Sequence, residues 1–301
     1  MSAERPNRID SADEPRAVNF DIDRYVASVA ALDDSDIDYR EFRRHPLPDE
    51  ALRCLRYMHD VEHHTVCYLR DLLVTRAHDD PVITTFLTMW AYEEFWHGEA
   101  IGRILRAHDE IAGRPRIDAV RARAGSGRLG TLGTMLASAA SEHIVTVSLT
   151  WGAVNEWTTQ AAYVRLAQRT GHPTLAELVR RIAKQEGRHI DFYASEAMRR
   201  LGNRRAQRLT RWALSRRWTP VGSGVMPRAE TAHLITYLFG DDEGVAMARR
   251  IDRRIDRLPG LAGLALVDSA RRDYAAAGSL TDGAPHVGIE ATPADDLQSA
   301  A

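Results

Sequence analysis

The chain has 301 residues, 44% hydrophobic and 27% charged, with a formal net charge of -2 at pH 7. That balance suits a folded protein with a sizeable core, and the near-neutral charge gives no general attraction to nucleic acid. The opening MSAERPNRIDSADEPR carries no apolar core of a secretory leader, and no run approaches the ~18 apolar residues of a membrane span. A cytoplasmic protein is expected, in which Cys54 and Cys67 are too few for a disulfide framework or a zinc site.

In chain order, residues 1–47 are rich in Asp, Arg and Pro and are expected to form an arm with short helical pieces. Pro48, Asp49 and Glu50 then open a helix, because proline fits a first turn and acids favour its positive end. Leu55, Met58, Val61, Val66, Leu69 and Leu73 recur along it at helical spacing. Asp80 and Pro81 begin a second helix, with Phe86, Met89, Trp90, Ile101 and Leu105 on one side and Gly113 and Pro115 at its end. A basic, glycine-containing stretch from Ile117 to Gly133 reads as a crossover. A third helix is expected from Leu132 to Thr170, a break at Gly171-His172-Pro173, and a fourth helix from Thr174 to Leu201. Beyond Gly202 the chain turns strongly basic, is broken by Gly and Pro at 220–228, and is helical again to Ala277. Residues 278–301 have the composition of a disordered tail. No segment alternates with a strand's period, so the fold class is all-α.

Two of these helices carry Glu-x-x-His, at Glu94/His97 and Glu186/His189. A spacing of three puts both side chains on one helix face. In a chain with this many Glu and His, about one such pair arises by chance, and a third pair, Glu230/His233, reads as incidental. Context distinguishes the first two. Each lies on the apolar stripe of its helix, and each is preceded by a helix with one Glu on its own stripe, Glu62 or Glu156. The intervals match, 32 residues from Glu62 to Glu94 and 30 from Glu156 to Glu186. Four buried carboxylates are intolerable without cations, and carboxylate with imidazole and no thiolate suits iron or manganese rather than structural zinc. The arrangement is that of a ferritin-like four-helix bundle binding two iron ions, Fe2+ or Fe3+, through Glu62, Glu94, His97, Glu156, Glu186 and His189, with additional N- and C-terminal helices. The domain is expected over 48–277. His59, His63 and His64 are competing ligands of lower rank, and Trp90, Trp96, Trp151 and Trp157 read as core packing.

Glu93-Glu94-Phe95-Trp96-His97-Gly98 resembles the second ligand helix of the soluble acyl-carrier-protein desaturases. The run from Asn155-Glu156 through Thr159, Leu166-Ala167, Gly171, Leu175, Ile182-Ala183, Glu186, Arg188 and His189 is similar to that family's third and fourth helices. The likeness spans about 50–200 and is loose over 201–275. It implies that Glu94 and Glu186 bridge the irons and that Glu62 and Glu156 are terminal ligands, with one His on each iron. Thr159 would line the oxygen pocket. It further implies O2-dependent insertion of a cis double bond into an acyl chain on acyl carrier protein, a ferredoxin-type electron donor and a homodimer. Gln185 departs from an acid usual in the family, Gly187 from a longer polar residue, and Trp96 and Trp157 are bulkier than their counterparts.

Eight arginines, at 199, 200, 204, 205, 208, 211, 216 and 217, offer a surface for an acidic carrier protein, or simply a solvated helix face. Two other functions fit the same ligands: a monooxygenase or N-oxygenase of a small molecule, and a non-catalytic iron-binding bundle.

Overall fold

A computed structural model describes residues 20–124, 141 and 143–278. Those residues form helices and connecting turns, with no strand among them. Helices α1 (Ile22–Ser28) and α2 (Glu41–Arg44) belong to the arm. Helix α3 (Asp49–Leu73) follows, then a short 3-10 turn, α4 (Pro81–Ala107) and α5 (Arg114–Ala124). The second half contains α6 (His143–Thr170), α7 (Pro173–Arg200), α8 (Arg204–Arg217), α9 (Arg228–Phe239), α10 (Asp242–Asp256) and α11 (Leu266–Gly278).

The four long helices pair as α3 with α4 and α6 with α7, and the pairs close on each other through α3–α6 and α4–α7 contacts. Local chemistry sets their ends. Pro48 precedes Asp49 and Glu50 at the start of α3. Asp80 caps α4 by accepting from Val82 and Ile83 N–H, with Pro81 in the first turn. Between α6 and α7, Gly171 takes a positive φ of 60° and the His172 side chain caps Leu175 N–H, so two residues suffice to reverse the chain.

Three expectations change. Helix α4 stops at Ala107, before Gly113, because Asp109 turns left-handed at φ 59° and redirects the chain. Gly113, at φ 74°, then starts α5, so the crossover opens as a helix. Arg116 pins that helix to α3 by a two-pronged bond to Asp60 at 2.6 and 2.7 Å. Helix α6 begins at His143, with the Ser141 hydroxyl capping its N–H at 3.2 Å. Residues 125–140 and 142 of the expected crossover and helix lie outside the described residues, as do 1–19 and 279–301. Third, Val66 and Leu73 are exposed, while Leu69 and Leu72 between them are partly buried against the core.

The C-terminal helices α9, α10 and α11 pack on one another and on α3 and α6, covering one side of the bundle. Close approach demands glycine at one crossing. A Cβ on Gly152 of α6 would come within 2.5 Å of the Tyr193 ring on α7, which itself packs edge-on against Phe86 and Trp90. Gly152→Ala should therefore lower stability by about 1–3 kcal/mol, read as an earlier midpoint in urea unfolding; an unshifted midpoint would contradict this packing.

Candidate metal centre

Each bundle helix delivers its chosen side chains to one place. Glu62 comes from α3, Glu94 and His97 from α4, Glu156 from α6, and Glu186 and His189 from α7. All six are buried, and Glu186 and both histidines fully so. Two groups form, Glu62-Glu94-His97-Glu186 and Glu94-Glu156-Glu186-His189, and within each the ligand atoms lie within 4.8 Å of one another. Glu94 and Glu186 belong to both. This is a carboxylate–imidazole cluster that could hold metal.

The interior of the cluster supports a cation. Both Glu186 oxygens and His189 Nδ1 are buried without a hydrogen-bond partner, an arrangement that costs several kcal/mol unless something satisfies it. The imidazoles stand near but out of line: Glu186 Oε1 is 3.4 Å from His97 Nδ1, and Glu186 Oε2 is 3.4 Å from His189 Nδ1. His189 Nδ1 is also 3.1 Å from Glu94 Oε1. Inward-facing Nδ1 atoms and unpaired carboxylate oxygens are the donor set a hard divalent ion takes.

A surrounding layer of side chains holds these ligands. Tyr163 donates its hydroxyl to Glu62 in a short bond, and the Trp90 indole N–H donates to Glu156 at 3.1 Å. Trp90 was expected only to pack the core. His189 Nε2 lies 2.9 Å from Glu93, which also accepts from Arg188 and from Tyr25 of the arm at 3.0 Å. His97 Nε2 lies 2.8 Å from the Gln185 side-chain oxygen. The acidic doublet Glu93-Glu94 was the visible sign of Glu93, whereas nothing local marked Tyr25, 68 residues away.

The remaining candidates fall elsewhere. His59 is bonded to Asp60 and to Gly113 N–H, His63 rests on Gly98 3.6 Å from Glu99, and His64 meets the Tyr68 ring edge-on; none belongs to the cluster. Glu230 pairs with Arg53, and His233 bonds the Glu50 carbonyl. Trp157 is buried, Trp151 partly so, and Trp96 lies partly buried against the exposed Tyr92 and Phe95. Thr159 lines a mostly apolar pocket shared with Glu62, Tyr163, Trp218, Ile235 and Phe239. Among the described residues no helix is long and apolar enough to cross a membrane. No protein-family model, curated protein or solved structure matches the chain.

The electrostatics of so many acids in one place are pronounced. Burial, then the neighbouring Glu94, pushes Glu62 well above the usual carboxylate range, and burial with Glu186 does the same to Glu156. Burial opposes charge on His97, but the Glu186 and Glu94 carboxylates beside its Nδ1 prevail and raise it to about 9. His189 is raised for the same reason by Glu186, Glu93 and Glu94. Despite burial, Glu94 is held low by Glu62 and the two imidazoles, and Glu186 by the adjacent imidazoles of His189 and His97. A group raised on folding stabilises fully below its solution value, here 6.5 for histidine, and loses that contribution as pH climbs through its folded value. The raised Glu62 and Glu156 act in the same direction, while Glu94 and Glu186 matter only in acid. Chelator-treated protein should thus melt at progressively lower temperature from pH 6.5 to about 9, followed by circular dichroism. A flat or rising trend would contradict the assignment. Metal uptake should release protons across the same window.

Proposed function

We propose that the chain is a di-iron oxidoreductase that uses O2 to introduce a double bond into an acyl chain carried on acyl carrier protein. The observation that carries this reading is the conjunction of the six-residue cluster with an apolar pocket whose lining includes one of its carboxylates, Glu62. Glu94 and Glu186 would bridge two irons, Glu62 with His97 would complete one, and Glu156 with His189 the other. Bound there, the irons would supply O2 reduction and hydrogen removal from adjacent methylenes, giving an alkene and two waters once an external donor has added two electrons and two protons.

The residues of the chain supply the rest. Apolar walls such as Ile235, Phe239 and Trp218 suit an aliphatic chain and exclude water, which keeps the site's electrostatics strong. Thr159, one turn beyond Glu156, is among the residues lining this pocket with Glu62. Tyr163 restrains Glu62, which belongs to both the pocket and the cluster.

Docking of an acidic carrier protein draws on α8. Arg204, Arg205 and Arg208 are exposed on a helix without an acidic residue. Arg199 and Arg200, also expected in this surface, are instead paired with Glu196, and Arg200 also with Asp80. Arg211 bonds the carbonyls of Gly260 and Ala262. Electrons would come from a ferredoxin-type donor, to a homodimer by the same resemblance.

Two measurements test the reading. Iron-loaded protein with a ferredoxin reducing system and a panel of acyl carriers should yield, by mass spectrometry, acyl chains that have lost two hydrogens. Gain of one oxygen atom would favour an oxygenase; oxygen uptake with iron-core growth and no organic substrate would favour storage. Reversing the charge at Arg204, Arg205 and Arg208 should raise KM for the acyl carrier several-fold without altering iron content; an unchanged KM removes this docking surface.

A further inference from the structure

Resting on the reading of the cluster as a two-metal centre, we infer that its two positions are inequivalent: the ion held by Glu156 and His189 binds first and more tightly than the ion held by Glu62 and His97, because a carboxylate backs one imidazole and a neutral amide backs the other.

Both histidines present Nδ1 to the carboxylates and turn Nε2 outward. Behind His189 stands Glu93, whose oxygens accept from His189 Nε2 at 2.9 Å, from the Tyr25 hydroxyl at 3.0 Å and from Arg188. With a guanidinium and a phenol donating as well, the side chain serves only as an acceptor, so it acts as a carboxylate. Behind His97 stands Gln185. Its amide nitrogen donates to the Ala30 carbonyl at 3.1 Å, which fixes the amide orientation and leaves only Oε1 to face His97 Nε2 at 2.8 Å. In both imidazoles, therefore, Nε2 carries the outward proton and Nδ1 is the atom turned to the carboxylates, so a metal ion arriving there takes the place of any proton on Nδ1.

The comparison is unusually clean. Glu93 and Gln185 are equivalent by chain position, each immediately preceding a shared carboxylate, Glu94 or Glu186. The terminal carboxylates are matched in kind, since Glu62 accepts from a neutral phenol and Glu156 from a neutral indole. The anion behind His189 makes that imidazole the more basic donor, and changing such an outer partner typically moves metal affinity about 10–100-fold. Arg188, bonded to the other oxygen of Glu93, offsets part of the added charge, but His189 still donates to a carboxylate while His97 donates to an amide.

Anaerobic calorimetric titration of chelator-treated full chain with Fe2+ should show two binding steps separated by about 10-fold or more. In crystals grown with one equivalent of Co2+, anomalous scattering should lie between Glu156 and His189. Gln185→Glu should tighten the second step and narrow the gap, and Glu93→Gln should weaken the first. Two equal steps in the unsubstituted protein, or first occupancy beside His97, would overturn the inference and leave the two-metal centre standing. No binding at all by protein of intact helical circular dichroism would remove both.

Discussion

Four carboxylates gathered in a protein interior repel one another at separations where the low dielectric magnifies every charge. Little in this fold is independent of that constraint. Glu62, Glu94, Glu156 and Glu186 all converge with their ligand atoms a few ångströms apart, and two imidazoles are interposed between them. Hydrogen bonds from Tyr163 and Trp90 reach only the outer pair. The central Glu186 has none. Side chains alone thus leave the middle of the cluster unsatisfied, and positive charge must be brought to it, whether as protons or as metal.

The bundle meets this demand by repeating one solution twice. A helix with a single acid is followed by a helix with Glu-x-x-His, and the two hairpins face each other so that Glu94 and Glu186 are common to both halves. The halves differ at their flanks. Helix α5 and the Arg116–Asp60 fork close the outside of α3, whereas residues of α9 and α11 share with Glu62 the lining of an apolar pocket. Access from the pocket is therefore lopsided: an apolar molecule lying in it meets Glu62, Tyr163 and Thr159.

The six cluster residues were legible because a helix converts sequence spacing into direction almost without tertiary context. Given four helices with apolar stripes, an acid on a stripe must point inward. What failed to show in the sequence depended on backbone turns or on distant partners. Asp109 in a left-handed conformation ends α4 a turn and a half before the glycine and proline that looked like its stop. Val66 and Leu73 continue the period of α3 but are exposed, while Leu69 and Leu72 of the same turns pack on the core. Trp90 is large and apolar, so its sequence position suggested packing, and only the fold reveals that its one polar atom meets Glu156.

The arm shows most clearly why a local reading of the site stays incomplete. Tyr25 reaches Glu93, the carbonyl of Ala30 holds Gln185, and Asp36 with the Asp33 carbonyl takes Arg181 of α7. Phe20 and Tyr25 pack against Phe86, and Phe20 also against Phe192, which anchors the segment between α4 and α7. A four-helix bundle without this segment would still gather the acids, but Gln185 would lose the bond that decides which end of its amide faces His97. Rotation of that amide would set N–H against N–H and force the imidazole to exchange tautomers, placing a proton on Nδ1 where a lone pair is needed. The residues that determine what the histidines can ligate thus lie partly outside the bundle that carries them.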